Sequence, residues 1–286
     1  VKNHVFDPAS IAVERRGRRV KTDRIDNESM IRTLMAYLRG EPRVVRIVRV
    51  PSPAQEDARR LMRERERLVK ERTAHVNRIK GLLRTQGLAA GQPKRADWLT
   101  WLEAQCDHRG RSLGHCLVAE LKRQHERLRM ICQQVKALED ERASALPEAL
   151  AAKAAALIRL RGIGPNFAGN LTGEVYWKDF SNRRQVASYV GLAPSPWQSG
   201  GLSRDQGISK AGNRRARCTA IQLAWLWLRH QPDSELSQWY RARVGDARGR
   251  LRKIMIVALA RKLVVALWRY LETGLVPTGA VFKKGK

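Results

Sequence analysis

Two long stretches of this chain carry apolar residues at heptad spacing, and no other feature limits the fold more. Across residues 53–88 the apolar pairs Leu61/Met62, Leu68/Val69, His75/Val76 and Leu82/Leu83 recur every seven positions with dense charge of both signs between them. A second seam steps by four and three through Leu117, Leu121, Gln124, Leu128, Ile131, Val135 and Leu138. Each seam predicts a long helix with one sticky side, and the looser segment 89–112 between them predicts an antiparallel, coiled-coil helical hairpin. A seam does not name its partner, so pairing with each other, with a second copy or with the rest of the chain all stay open.

On either side of the hairpin the pattern changes. The first fifty residues predict an extended stretch near 4–13, a basic loop over 15–21, a helix over 23–39 and a strand at Val44-Val45-Arg46-Ile47-Val48, where β-branched residues sit between turn formers. Beyond Pro147 the chain predicts a helix over 149–161, a further helix ending near Leu171, a Gly/Ser/Pro-rich loop over 191–213 and a basic helix over 248–271. Three regions result: an α/β piece at 1–52, the hairpin at 53–148 and a mainly α-helical domain at 149–286.

Charge decides the class of partner. Of the 286 residues, 56 are Lys or Arg and 27 are Asp or Glu, a formal net charge of +29. That excess points to a polyanion, and the eight tryptophans and 43% hydrophobic content argue against a disordered basic tail. The longest apolar run, Ile254 to Ala260, is far short of a bilayer span, and the opening residues predict no secretory signal; a cytoplasmic, nucleoid-associated protein is expected. Four cysteines without a CxxC pair predict reduced thiols.

Four constellations could carry chemistry. Leu157-x-x-Leu160-x-Gly162-Ile163-Gly164-Pro165 has the form of a helix-hairpin-helix, in which Gly162 and Gly164 let a turn approach a phosphate without reading sequence. The stretch from Gly191 to Arg217 combines Ser199, beside Gly200 and Gly201, with Arg204, Lys210, Asn213, Arg214, Arg215 and Arg217. A serine attacking a phosphodiester needs space for the phosphate and positive charge around it, although a serine among glycines is equally an ordinary loop residue. Asp23 and Asp26 share a helix face and could meet a hard cation, but acids at a helix start also simply complement the dipole. Cys106, His108, His115 and Cys116 match no standard zinc spacing. Of the tryptophans at 177, 197, 225, 227, 239 and 268, Trp197 in the Ser199 stretch is the candidate for stacking on a base.

Taken in order, Lys21-Thr-Asp-Arg-Ile-Asp, Arg161-Gly-Ile-Gly-Pro, Tyr189-Val-Gly-Leu-Ala-Pro, Gln198-Ser-Gly and Ile208-Ser-Lys-Ala-Gly-Asn resemble the Piv-like DEDD transposases of the insertion-sequence 110 group, 1111 subgroup, over essentially the whole chain. The resemblance implies a RuvC-like (RNase H-like) domain, here a C-terminal remnant, then a coiled-coil linker and a transposase domain with a nucleophilic serine. It implies that Ser199 is the nucleophile and that Asp23 and Asp26 are two of four acids holding Mg²⁺. It also implies DNA partners at the element ends and target, a structured guide RNA and a homo-oligomer whose subunits share the reaction. The family's first Asp and its Glu lie upstream of the Lys-Thr-Asp-Arg motif, where this chain has only Asp7 and Glu14. An N-terminally truncated member with an incomplete metal site is therefore expected. A non-catalytic DNA- or RNA-binding protein and a RuvC-like junction nuclease are the alternatives.

Overall fold

A computed structural model describes residues 3–12, 22–142, 146–199 and 202–283, with the backbone alone at positions 9, 196–199 and 202–206. It is mainly helical and divides into two compact units, Val1–Pro53 and Ala54–Lys286.

In the first unit, helix α1 (Asp23–Leu38) begins where the sequence predicts it. The Thr22 hydroxyl caps it by accepting a hydrogen bond from the Ile25 amide at 3.4 Å. The expected strand at 44–48 does not form: its pairing is confined to a bridge between Phe6 and Ile47, flanked by hydrogen bonds from Asp7 N to Arg46 O and from Val48 N to Val5 O. A ladder cannot extend because a 3-10 turn at Pro8–Ser10 ends the partner segment. The predicted α/β character is thus reduced to one helix and one bridge among the described residues, and the basic loop at 15–21 lies outside them.

The second unit is built on α2 (Pro53–Arg84) and α4 (His115–Glu141). They run antiparallel: Arg65 reaches Glu139, His75 meets Gln124 and Arg78 reaches Glu120, so rising numbers on one helix match falling numbers on the other. Between these polar rungs the two seams close on each other. Leu68 packs with Ile131 and Val135; Ile79 and Leu83 pack with Leu121 and Leu128, covered by Trp98 and Leu102 of α3 (Trp98–Glu103). The seams therefore find their partner within the chain. The N-terminal half of α2 also docks on the C-terminal helices, where Ala58 joins Leu150 and Trp177 and the Arg59 guanidinium lies 4.2 Å over the Trp177 ring.

The C-terminal core is formed by α5 (Glu148–Arg159), α6 (Pro165–Glu174), α7 (Arg183–Tyr189), α8 (Arg214–His230), α9 (Glu235–Val244) and α10 (Arg250–Thr273). Leu157, Leu171, Val186, Leu223, Trp227, Leu263 and Leu267 meet there, fully or almost fully buried. Some buried polar ends are satisfied, since Trp227 Nε1 donates to Ser234 Oγ at 2.9 Å and Tyr176 Oη to the Val264 carbonyl at 3.0 Å, whereas Tyr240 Oη and Trp268 Nε1 are buried without a hydrogen-bond partner among the described residues. Where the sequence predicts a loop over 191–213, the chain instead forms an antiparallel pair, β1 (Pro194–Ser199) and β2 (Leu202–Ile208), with a register irregularity between Pro194 and Pro196. Glycine and proline content masked this ribbon, since its ladder is only a few residues long.

Candidate nucleic-acid interface

The hairpin β1–β2 rises from a root tied to the end of α7 and the residues after it by backbone hydrogen bonds. Ser209 N donates to Ala193 O at 2.8 Å, Lys210 N to Gly191 O at 3.2 Å and Asn213 N to Tyr189 O at 2.8 Å. Gly212 passes the end of α7 at φ +116°, where a Cβ would collide with the Tyr189 carbonyl, so no other residue fits. Lys210 adopts φ +55°, a strained conformation for a side-chain-bearing residue, and the ring of bonds around it holds it there. Arg217 Nη1 donates to the Lys210 carbonyl at 3.0 Å and the Val190 carbonyl at 3.3 Å, so this guanidinium staples the root.

Asn213 does two things. Its Oδ1 accepts from the Ala216 amide at 3.1 Å and caps α8, and its Nδ2 donates to Glu174 Oε2 at 2.8 Å. Glu174, at the end of α6, is 5% exposed and also accepts from Arg63 Nε of α2 at 2.9 Å. Burial pushes the Glu174 carboxyl up, but the hydrogen bonds from Arg63 and Asn213 and the charges of Arg63 and Arg59 outweigh it and hold the group below the usual range. Glu56, two turns before Arg63 and one before Arg59 on α2, ties them together at 2.6 and 3.0 Å. Sequence reading missed this network, because Glu174 and Arg63 are 111 positions apart. The one available signal was that Glu174 is the single charged residue of α6.

The five cations expected to clamp a phosphate divide by environment. Arg217 is turned to backbone carbonyls and Arg215 pairs with Glu66 Oε2 at 2.8 Å, whereas Lys210 and Arg214 are exposed. The side chains of Ser199 and Arg204 lie outside the described residues; the backbone places Ser199 last in β1, opposite Leu202. The Gly162–Gly164 turn joins α5 to α6. Gly162, at φ +91°, passes so close to His230 that a Cβ would lie 2.8 Å from the histidine Cβ, and Gly164 occupies the N-cap of α6 with Pro165 behind it. Lys283 Nζ donates to Ile163 O at 2.9 Å, pinning the turn from the C-terminal side.

Asp23 and Asp26 are exposed in the first turn of α1. Two carboxylates one turn apart do not complete a ligand set, and no group of three or more His, Cys, Asp or Glu side chains gathers for a metal among the described residues. Cys106 and Cys116 are exposed thiols. Trp177 and Trp227 belong to the core, Trp225 and Trp239 carry Arg252 and Lys262 against their rings, and the Trp197 side chain lies outside the described residues. Among the described residues no helix is long and apolar enough to cross a membrane.

Comparison with known proteins places this interface in context. Residues 154–240, which hold the turn, the hairpin and α8, match the sequence profile described as the Transposase IS116/IS110/IS902 family. The chain is 52% identical to "Putative transposase y4rJ" of Sinorhizobium fredii over 294 residues, covering 99% of this chain and 74% of that protein. It is 30% identical to the transposase for insertion sequence element IS1111A of Coxiella burnetii, covering 79% of this chain and 62% of the relative. It is 26% identical to the transposase for insertion sequence element IS1328 of Yersinia enterocolitica, covering 76% and 63%. The chain thus spans between about three fifths and three quarters of the length of these relatives.

Proposed function

The chain belongs to the IS116/IS110/IS902 family of transposases, and from that membership we propose that it cuts and rejoins DNA through an ester at Ser199. The observation that carries this reading is the position of residue 199 at the turn end of a β-ribbon whose root is held by backbone hydrogen bonds and by the Arg217 guanidinium. A hydroxyl held on such a support can be presented to a phosphate without reorganising the domain beneath it.

In the proposed step the Ser199 Oγ attacks phosphorus, a new O–P bond forms and the bond from phosphorus to the sugar oxygen breaks. The serine proton ends on the departing sugar hydroxyl. The energy of the broken bond is kept in the serine ester, so a second DNA hydroxyl can displace Ser199 and complete the transfer. Lys210 and Arg214 supply positive charge for the transition state, and Arg204 is assigned with them. Arg215 is assigned to the same task after exchanging Glu66 for phosphate. Arg217 acts beneath them, through the backbone it holds.

Asp23 and Asp26 are proposed as two of the carboxylates facing a divalent cation such as Mg²⁺, whose contribution when bound would be to stabilise developing oxygen charge. They do not form a complete site by themselves, and the chemistry assigned to Ser199 runs without a step through the ion. Element ends and target DNA, a structured guide RNA and further copies of this chain are the proposed partners, in keeping with the +29 charge.

A nicked suicide DNA substrate tests the reading. The chain, mixed with a full-length relative, is expected to form a covalent protein–DNA adduct stable to denaturation, and Ser199→Ala in both proteins is expected to abolish it. An adduct of unchanged yield in the substituted proteins overturns the serine assignment. Tight binding without any adduct in the unsubstituted proteins would favour the non-catalytic alternative.

A further inference from the structure

A groove of about 1600 Å³ opens beside the root of the hairpin, walled by α7, α9 and α10. Its α10 wall carries Arg250, Lys253, Arg261 and Arg269, spaced so that all four fall on one side of the helix over a length of ~28 Å. Arg183 and Arg184 of α7 and Lys210 of the root complete the basic rim. No ion pair joins any of these seven side chains to a carboxylate among the described residues, and Glu235 is the one acid lining the groove. On α2, by contrast, Arg59, Arg63, Arg65 and Arg78 all pair with glutamates. Proteins seldom gather so many exposed, unpaired like charges without a counter-charge to meet them.

The floor is of a different kind. Leu192, Ile254, Val257, Val265 and Trp239 line it between the cations, and Lys262 lies 4.7 Å over the Trp239 ring. A duplex presents rows of phosphate and sugar on its outside and would leave this apolar floor uncovered. An unpaired strand can turn its bases onto the floor while its phosphates meet the rim. Pro194, Gly207, Ile208 and Lys210 of the hairpin root belong to the lining, so a strand lying here runs toward the ribbon that carries Ser199.

We infer that this groove binds single-stranded DNA, with Arg250, Lys253, Arg261 and Arg269 on its phosphates and the apolar floor under its bases. The inference rests on the transposase reading in one respect, the choice of DNA over RNA. It assigns a binding task to residues of α7 and α10 that stand apart from the serine and its clamp.

Fluorescence anisotropy of the full chain with a 12-nucleotide oligothymidine, a 12-base-pair duplex and an oligouridine of equal length tests it. The oligothymidine is expected to bind about tenfold more tightly than the duplex, and more tightly than the oligouridine. Lys253→Glu with Arg261→Glu is expected to weaken oligothymidine binding by about tenfold or more, because two phosphate contacts become repulsions. Lys80→Glu with Arg84→Glu, exposed cations of α2 away from the groove, is expected to bind as the wild type does, and strand binding is read without the serine ester, so loss of the covalent adduct and loss of strand binding report on separate claims. Duplex preference, oligouridine preference or wild-type affinity in the folded double variant each overturns the inference. If the double variant does not fold, a bromodeoxyuridine-substituted strand photocrosslinked to the wild-type chain decides. Crosslinks on α10 and residues 207–210 support the groove, and crosslinks confined elsewhere overturn it.

Discussion

At the scale of single residues, the tightest point is Glu174, where a buried carboxylate joins α2 to the hairpin root through Arg63 and Asn213. Replacing it by glutamine keeps the shape but removes the charge that Arg63 and Asn213 were placed to meet. Glu174→Gln is expected to cost about 2 kcal/mol at neutral pH, less than the roughly 3–5 kcal/mol of a fully buried pair that loses one partner, because Arg63 keeps some solvent. Chemical denaturation of both proteins measures it. The sign of the pH effect follows from the depressed pKa: the stabilisation is complete above the ordinary glutamate value of about 4.3 and is lost as pH falls through the lower folded value. Below pH 4.3 the stability gap between wild type and Glu174→Gln should therefore narrow. Gly212 makes a complementary prediction. Gly212→Ala forces a methyl group against the Tyr189 carbonyl at a positive φ, and a loss of about 2–3 kcal/mol is expected in the same titration.

At the scale of elements, the helical hairpin contains its own titratable weak point. His125 of α4 is fully buried, stacked on Trp98 at 5.0 Å, with Nδ1 3.1 Å from the Pro93 carbonyl and Nε2 without a partner. Burial holds its pKa below the ordinary value; the hydrogen bond to the Pro93 carbonyl opposes this in part, nearby Arg129 adds to the lowering and Glu126 opposes it least. Once pH drops below about 6.5, the unfolded chain takes up a proton that the folded one resists, so stability falls with a slope of at most ~1.4 kcal/mol per pH unit. Melting at pH 7.5 and 5.5 should show that loss in the wild type and a smaller one in His125→Phe, which keeps the stacking and cannot titrate. The helices around this site were legible in the sequence because Leu68, Ile79, Leu121 and Ile131 repeat at helical spacing whatever their partner. α1 was legible for a local reason as well, the Thr22 cap. The ribbon β1–β2 and the bridge at Ile47 were misread because short strands depend on a partner elsewhere in the chain, which neither glycine content nor β-branching reports. The same holds for the site. Local motifs pointed to Gly162, Ser199 and Asn213, whereas Arg63, Glu174 and the groove on α10 emerge only when distant elements are brought together.

At the scale of the whole molecule, a net charge of +29 poses a choice between two kinds of nucleic-acid binding. Diffuse positive charge attracts a polyanion from every side, and its effect depends on the total. A built groove concentrates the attraction, and its effect depends on which cations line the path. Salt separates the two, since each phosphate neutralised on a single strand contributes about 0.7 to the slope of log affinity against log salt. The seven rim cations fully engaged, with Lys262 left on the Trp239 ring, would give a slope near −5 with oligothymidine. Lys253→Glu with Arg261→Glu should flatten it by about 1.4, two phosphates' worth. Lys80→Glu with Arg84→Glu lowers the net charge by the same amount through exposed residues of α2, and it should leave the slope within about 0.3 of the wild type. Equal flattening by both pairs would mean that the total alone governs binding and that the groove has no privileged share of it.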